Sequence, residues 1–248
     1  MSLFSGLDRS TWIAAKGRLM TMRGLFITGT DTGVGKTHIA CAIVRELREA
    51  GHRVGVFKPA CSGALLAENG EPHWDDIDRL RDALGREVSV DQLCPQRFLS
   101  PLAPPVAARK EGCRVDWESI IHGFEAWQQD CDVLVIEGAG GLLCPLTADA
   151  TMAEFAGLSL FPLVIVARLG LGTINHTLLT VEVARQRGLR IAGLVFNEAT
   201  PTEDVLVDSN PAEISARCDV PIEKAGWESA SSVCSIARSG RFCAAVIR

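Results

Sequence analysis

The chain lacks several features that would fix its role directly. No apolar run approaches the length needed to span a bilayer, which argues against a membrane partner. There is no cluster of lysines and arginines, and the net charge is −5, so no nucleic-acid surface is expected. None of the nine cysteines stands in a Cys-x-x-Cys pair, so nothing points to a zinc site. Cys41, Cys131 and Cys144 sit in or beside apolar runs and read as reduced core thiols of a cytoplasmic protein. Residues 1–23 carry Arg9, Lys16, Arg18 and Arg23 but neither an apolar h-region nor a cleavage signature. They are expected to be a disordered or over-annotated leader, with Met20 and Met22 as alternative starts. No internal repeat or interdomain linker is visible, so residues 24–248 are expected to form a single domain.

What is present is an ordinary core, with 47% apolar and 22% charged residues, and one sharply defined loop. Leu25-Phe26-Ile27 reads as a buried strand. From His38 to Leu47 the apolar residues Ile39, Ala40, Ile43, Val44 and Leu47 recur on one helical face. Between them lies Gly29-Thr30-Asp31-Thr32-Gly33-Val34-Gly35-Lys36-Thr37. Strand, glycine-rich turn and helix start make a phosphate cradle, because the first helical turn has unpaired N–H groups and a positive dipole end. Gly33 and Gly35 admit the phosphates close to the backbone. Lys36 reaches the β/γ-phosphates, and the Thr37 hydroxyl is placed for Mg²⁺. The loop is a variant. The usual pattern has glycine where Thr30 stands, and Gly29 lies one place early.

Further polar residues fall at the carboxyl ends of other strands. Arg53–Lys58 reads as a strand ending in Lys58-Pro59-Ala60-Cys61-Ser62-Gly63, which places Lys58 at the edge where such sheets bind ligands. Asp75, Asp76 and Asp78 open a short helix through Leu84, either as caps or with one of them supporting Mg²⁺. The four prolines of Leu93–Pro105 predict mostly loop. A helix follows from about Asp116 to Gln129. Val133–Ile136 is a strand closed by Glu137-Gly138-Ala139-Gly140-Gly141, an acid placed beside Mg²⁺ and glycines placed near the γ-phosphate. Leu163–Ala167 runs into Gly172-Thr173-Ile174-Asn175-His176, a helix start able to hold a second anion, with His176 read as structural. Ile191–Phe196 is a fifth strand, ending in Asn197-Glu198. The alternation predicts an α/β fold of the P-loop NTPase kind, with a mostly parallel sheet covered by helices on both faces.

Taken together, the P-loop, Lys58-Pro59-x-x-Ser62-Gly63, Glu137 to Gly141, Gly172 to His176, and Asn197 ahead of Thr200-Pro201 resemble dethiobiotin synthetase. That family closes the ureido ring of dethiobiotin from 7,8-diaminononanoate, CO₂ and MgATP. It shares the early first glycine of the loop. The resemblance runs from about Gly24 to Pro201, and it implies an ATP site from Asp31, Thr32, Gly33, Val34, Gly35, Lys36 and Thr37 with Asp76, Glu137, Gly138, Ala139, Gly140 and Asn197. Lys36 and Lys58 are implied as the catalytic cations, and Thr37, Asp76 and Glu137 as the Mg²⁺ site. Asp76 is chosen because the family's acid lies four residues before a helix leucine, as Asp76 lies before Leu80, with Asp75 and Asp78 as alternatives. Substrate contacts are implied for Thr32 and Ser62, and for Gly172, Thr173, Ile174 and Asn175 across a homodimer interface. The departures lie after Asn210, where no equivalent of the family's adenine-covering loop is visible, and at Glu198, where many relatives carry Asp. Ser229–Ser235 reads as irregular, and Cys243–Ile247 as a late strand. Two alternatives are a P-loop switch ATPase and a catalytically degenerate regulatory module of the same fold.

Overall fold

The structure, a computed structural model, describes residues 22–198 and 204–225, without the side chains of 204 and 205. The strands are β1 (Arg23–Gly29), β2 (Val54–Phe57), β3 (Ala60–Ser62), β4 (Leu65–Leu66), β5 (Pro72–His73), β6 (Gln96–Phe98), β7 (Val133–Gly141), β8 (Leu163–Arg168), β9 (Ile191–Asn197) and β10 (Ile222–Ala225). The helices are α1 (Lys36–Glu49), α2 (Asp75–Leu84), α3 (Val90–Leu93), α4 (Pro104–Lys110), α5 (Trp117–Ala126), α6 (Met152–Ser159), α7 (Thr173–Gln186) and α8 (Asp204–Ser215).

Six strands form one parallel sheet in the order β10-β9-β8-β1-β7-β2. Their near-continuous apolar runs fit a sheet buried on both faces, as in Val133–Ile136 and Leu163–Ala167. From β1 the chain crosses over β7 to β2, whereas later connections step the other way toward β8, β9 and β10. Right-handed crossovers therefore put α1 on the opposite face from α6, α7 and α8. The reversal at β1 opens a crevice at the carboxyl ends of the strands, where such sheets bind ligands.

The core beside that crevice is aromatic. Phe155 of α6 meets Phe26, Phe57, Trp117 and Phe124 at ring-centroid distances of 6.1, 6.1, 6.0 and 5.6 Å. These contacts tie α5 and α6 to β1 and β2 and hold the strand ends in place.

Several sequence expectations need correcting. β1 begins at Arg23, and Met22 packs on the core, so these two residues of the expected leader belong to the fold. Residues 1–21, including Met20, lie outside the described residues. The segment Leu93–Pro105 is mostly loop, as expected, but it also holds a short strand that its prolines hid. Gln96–Phe98 pairs in parallel with Ala60–Ser62, and Pro104 opens α4, where proline's missing N–H costs nothing. The tail after Asn210 contains β10, paired along Leu194–Asn197 of β9. The readings for 229–235 and 243–247, and Thr200-Pro201, fall outside the described residues.

Candidate active site

The site begins with the backbone of the P-loop. Gly35 caps α1 with φ 94°, a left-handed conformation that side chains strain to adopt. A Cβ there would stand 2.0 Å from the Asn197 amide nitrogen. The Asn197 amide also donates to the Val34 carbonyl at 3.1 Å, so the tip of β9 braces the loop from behind. Lys36 curls back over the loop, and its ammonium donates to the Asp31 carbonyl at 3.0 Å.

Below the loop, residues of two strands and the start of a helix converge. Lys58, just past β2, is fully enclosed. Its ammonium lies 2.6 Å from Glu137 Oε1 on β7 and 2.9 Å from Asp76 Oδ2 on α2. Burial opposes the charge on Lys58, but the two carboxylates outweigh it and hold its pKa well above the usual lysine range. Burial likewise opposes ionisation of Asp76. Lys58 and the Thr37 hydroxyl prevail, and its pKa falls below the ordinary carboxylate value. The pKa of Lys36 is lowered, chiefly by burial.

Thr37 Oγ1 lies 2.8 Å from both Asp76 Oδ1 and Glu137 Oε1. A hydroxyl has one proton, so it can donate to only one of them at a time. Glu137 Oε2 is buried without a hydrogen-bond partner among the described residues. An oxygen-only set of two carboxylates and a hydroxyl, with one buried oxygen unsatisfied, fits a hard divalent cation. Among the described residues no group of three or more His, Cys, Asp or Glu side chains is placed to hold a metal. A cation here therefore draws the rest of its coordination from phosphate or water, the habit of Mg²⁺.

These groups line a cleft of about 590 Å³. It gathers Thr32, Gly33, Gly35, Lys36, Thr37, Lys58, Ser62, Asp76, Glu137, Ala139 and Gly140 from the expected site. The acidic triplet separates by contact: Asp76 faces Thr37 and Lys58, while Asp78 pairs with His73 and Asp75 with Arg79. Gly138 packs on the Phe26 ring, and Asp31 and Val34 support the loop without lining this cleft. Gly172 to Asn175 lie outside it. Gly172 caps α7, Thr173 donates to the Arg168 carbonyl, and Asn175 is exposed. The sequence reading missed Cys61, Cys144, His38 and Arg79, which also line the cleft, as does Pro101–Pro104. Burial pushes the Cys61 thiol up to about 11, so it stays protonated.

A family model described as an AAA domain matches residues 23–223. An ATP-dependent dethiobiotin synthetase BioD of Anaeromyxobacter dehalogenans (strain 2CP-C) is 50% identical over 194 residues, 78% of this chain and 85% of that protein. The protein of the same name from Bacillus thuringiensis (strain Al Hakam) is 40% identical over 201 residues, 81% of each. Another, from Rhodopirellula baltica, is 38% identical over 79% of this chain and 81% of its own length. Among solved structures, HypB from Helicobacter pylori in complex with nickel matches with a TM-score of 0.55 over 96% of each chain. At 15% identity that match is a likeness of fold alone. The relatives are named for one enzyme and match across most of their own length and of this sequence: the chain belongs to the ATP-dependent dethiobiotin synthetase family.

Proposed function

We propose that the protein closes the ureido ring of dethiobiotin from 7,8-diaminononanoate, CO₂ and ATP, releasing ADP and phosphate. The observation that carries this reading is the meeting of Lys36, Lys58, Thr37, Asp76 and Glu137 in one cleft under a P-loop. The switch and regulatory alternatives find no support among relatives named as synthetases.

The chemistry requires little covalent help from protein. One substrate amine takes up CO₂ and loses a proton, giving a carbamate. A carbamate oxygen attacks the γ-phosphorus, and ADP leaves. The second amine then attacks the carbamoyl carbon and loses a proton, and phosphate leaves with that carbamate oxygen. Each step is favoured by fixed geometry and by cations near developing negative charge. Lys58 is held charged and rigid by Glu137 and Asp76, so it stabilises charge without having to reorient. Lys36 leaves the Asp31 carbonyl for phosphate oxygens. Thr37, Asp76 and Glu137 would hold Mg²⁺, which would neutralise phosphate charge. Thr32 and Ser62 contact the substrate end that carries the carbamate. Asp31, Gly33, Val34 and Gly35 with Gly138, Ala139 and Gly140 frame the phosphates, and Asn197 serves the adenine side.

Gly172, Thr173, Ile174 and Asn175 stand outside the cleft of their own chain, which agrees with a homodimer in which this helix start meets the substrate carboxylate of the partner subunit. No helix among the described residues is long and apolar enough to cross a membrane, in keeping with a cytoplasmic place.

The test is to incubate the protein with MgATP, bicarbonate and 7,8-diaminononanoate and look for the cyclic urea by mass spectrometry. Product that requires ATP supports the synthetase. ATP hydrolysis at the same rate with and without diaminononanoate, and no urea, refutes it.

A further inference from the structure

The cleft holds basic side chains for which the ring-closing chemistry assigns no task. Arg79 lies on α2 three residues beyond Asp76, so both side chains rise from the same helix face. Both line the cleft, as does half-buried His38, which follows Thr37 on α1. The Arg79 guanidinium pairs with Asp75 at 3.6 Å, and the two side chains are 45% and 62% exposed. Such an i, i+4 pair is worth little in water and yields readily to a stronger anion.

Charge balance gives the reason for a further cation. Within the inner site, Lys36 and Lys58 are matched by Asp76 and Glu137, and Lys58 is already committed to both carboxylates. A triphosphate brings several negative charges into this neutral set. Lys36 and a divalent cation answer those at the buried β/γ end. The rest of the polyphosphate still needs a donor, and the half-exposed Arg79 lines the same cleft. A guanidinium fork fits two phosphate oxygens at once, which a lysine cannot do.

We propose that Arg79 is a phosphate-binding residue of this site, taking the α/β end of the bound triphosphate, with His38 flanking it. The proposal rests on the nucleotide-site reading above. Its consequence is that part of the nucleotide affinity resides in this polyphosphate contact and is independent of the base.

The experiment is calorimetric titration of ATP, inorganic tripolyphosphate (each with Mg²⁺) and 7,8-diaminononanoate into wild type, Arg79→Ala and Arg79→Lys. Truncation is not expected to disturb the fold, because the side chain is half exposed, its ion pair is with the exposed Asp75, and its backbone carbonyl still accepts from Cys41. Arg79→Ala is expected to weaken ATP and tripolyphosphate alike by about tenfold or more, the scale of a charge-assisted hydrogen bond. Arg79→Lys recovers part of that loss, and diaminononanoate affinity stays at the wild-type value. Wild-type affinity of Arg79→Ala for both phosphates would overturn the proposal. So would an equal loss of diaminononanoate affinity, which would mark a merely structural role. If the wild type itself binds neither ATP nor tripolyphosphate, the nucleotide-site reading fails as well.

Discussion

Replacing Lys58 by methionine separates the stabilising role of that side chain from its chemical one. The ammonium is 3% exposed and sits 2.6 Å from Glu137, which is itself 1% exposed. Its second partner, Asp76 at 2.9 Å, is 40% exposed and therefore partly screened by water. The Glu137 contact thus carries most of the effect. Removing one member of a buried pair strands the other, at a cost of about 3–5 kcal/mol. In a domain of this size each kcal/mol lowers the melting temperature by about 2–4 °C, so Lys58→Met should melt about 6–20 °C below wild type. Adding Glu137→Gln removes the stranded charge and should return most of that loss. Ring closure should not return, because the cation is still absent; activity should stay at least about 10²-fold down in both variants. Calorimetry and the urea assay on the four proteins of the cycle measure both quantities. A Lys58→Met melting within about 2 °C of wild type, or a double variant no more stable than the single one, would refute the buried-pair argument.

Other positions give equally direct tests. Gly35→Ala forces a Cβ into φ 94° and to within 2.0 Å of the Asn197 amide, so ATP affinity should fall about 100-fold or more in calorimetry; wild-type affinity would contradict the cradle geometry. Thr37→Val keeps the shape but removes the hydroxyl between Asp76 and Glu137. The Mg²⁺ midpoint in an ATP-binding titration should rise by about tenfold or more, and an unmoved midpoint would exclude Thr37 from the cation site. Glu154 caps α6 through Thr151 and pairs with Arg187; burial opposes its charge, but these partners win and lower its pKa from 4.5. A depressed carboxylate stabilises the fold above its unfolded pKa, and that stabilisation fades as pH falls through the folded value. Glu154→Gln should therefore be less stable than wild type at pH 7 in urea denaturation, with the gap closing below about pH 4.5. A gap independent of pH would show that charge is not the cause.

The P-loop and its neighbours were legible in sequence because each lies where a buried apolar run ends, and in a parallel sheet those ends share one edge. Lys58 and Glu137 could be assigned to that edge without knowing that they touch. Their contact depends on β2 lying beside β7, with Phe57 opposite Ile136, and strand order is not written in local pattern. The acidic triplet could not be resolved from composition, since all three residues suit a first helical turn. Only the packing of α2 on α1 turns Asp76 toward Thr37. The strand at Gln96–Phe98 was hidden by flanking prolines, because its pairing partner, Ala60–Ser62, lies far away in sequence. β10 was missed because a four-residue edge strand containing Glu223 and Lys224 lacks the apolar run of a central one. Arg79 escaped notice because an arginine in a charged helix reads as a solvated face until the helix is docked beside the cleft.

The most direct test of the account follows one oxygen atom. If the carbamate oxygen attacks the γ-phosphorus and later departs with phosphate, ring closure with ¹⁸O-labelled CO₂ must leave one ¹⁸O in the phosphate released. Mass spectrometry of that phosphate, collected before the label exchanges with water, is expected to show one heavy oxygen for each urea formed. Urea formed with unlabelled phosphate would contradict attack by the carbamate, and with it the role given to the cleft of Lys36 and Lys58.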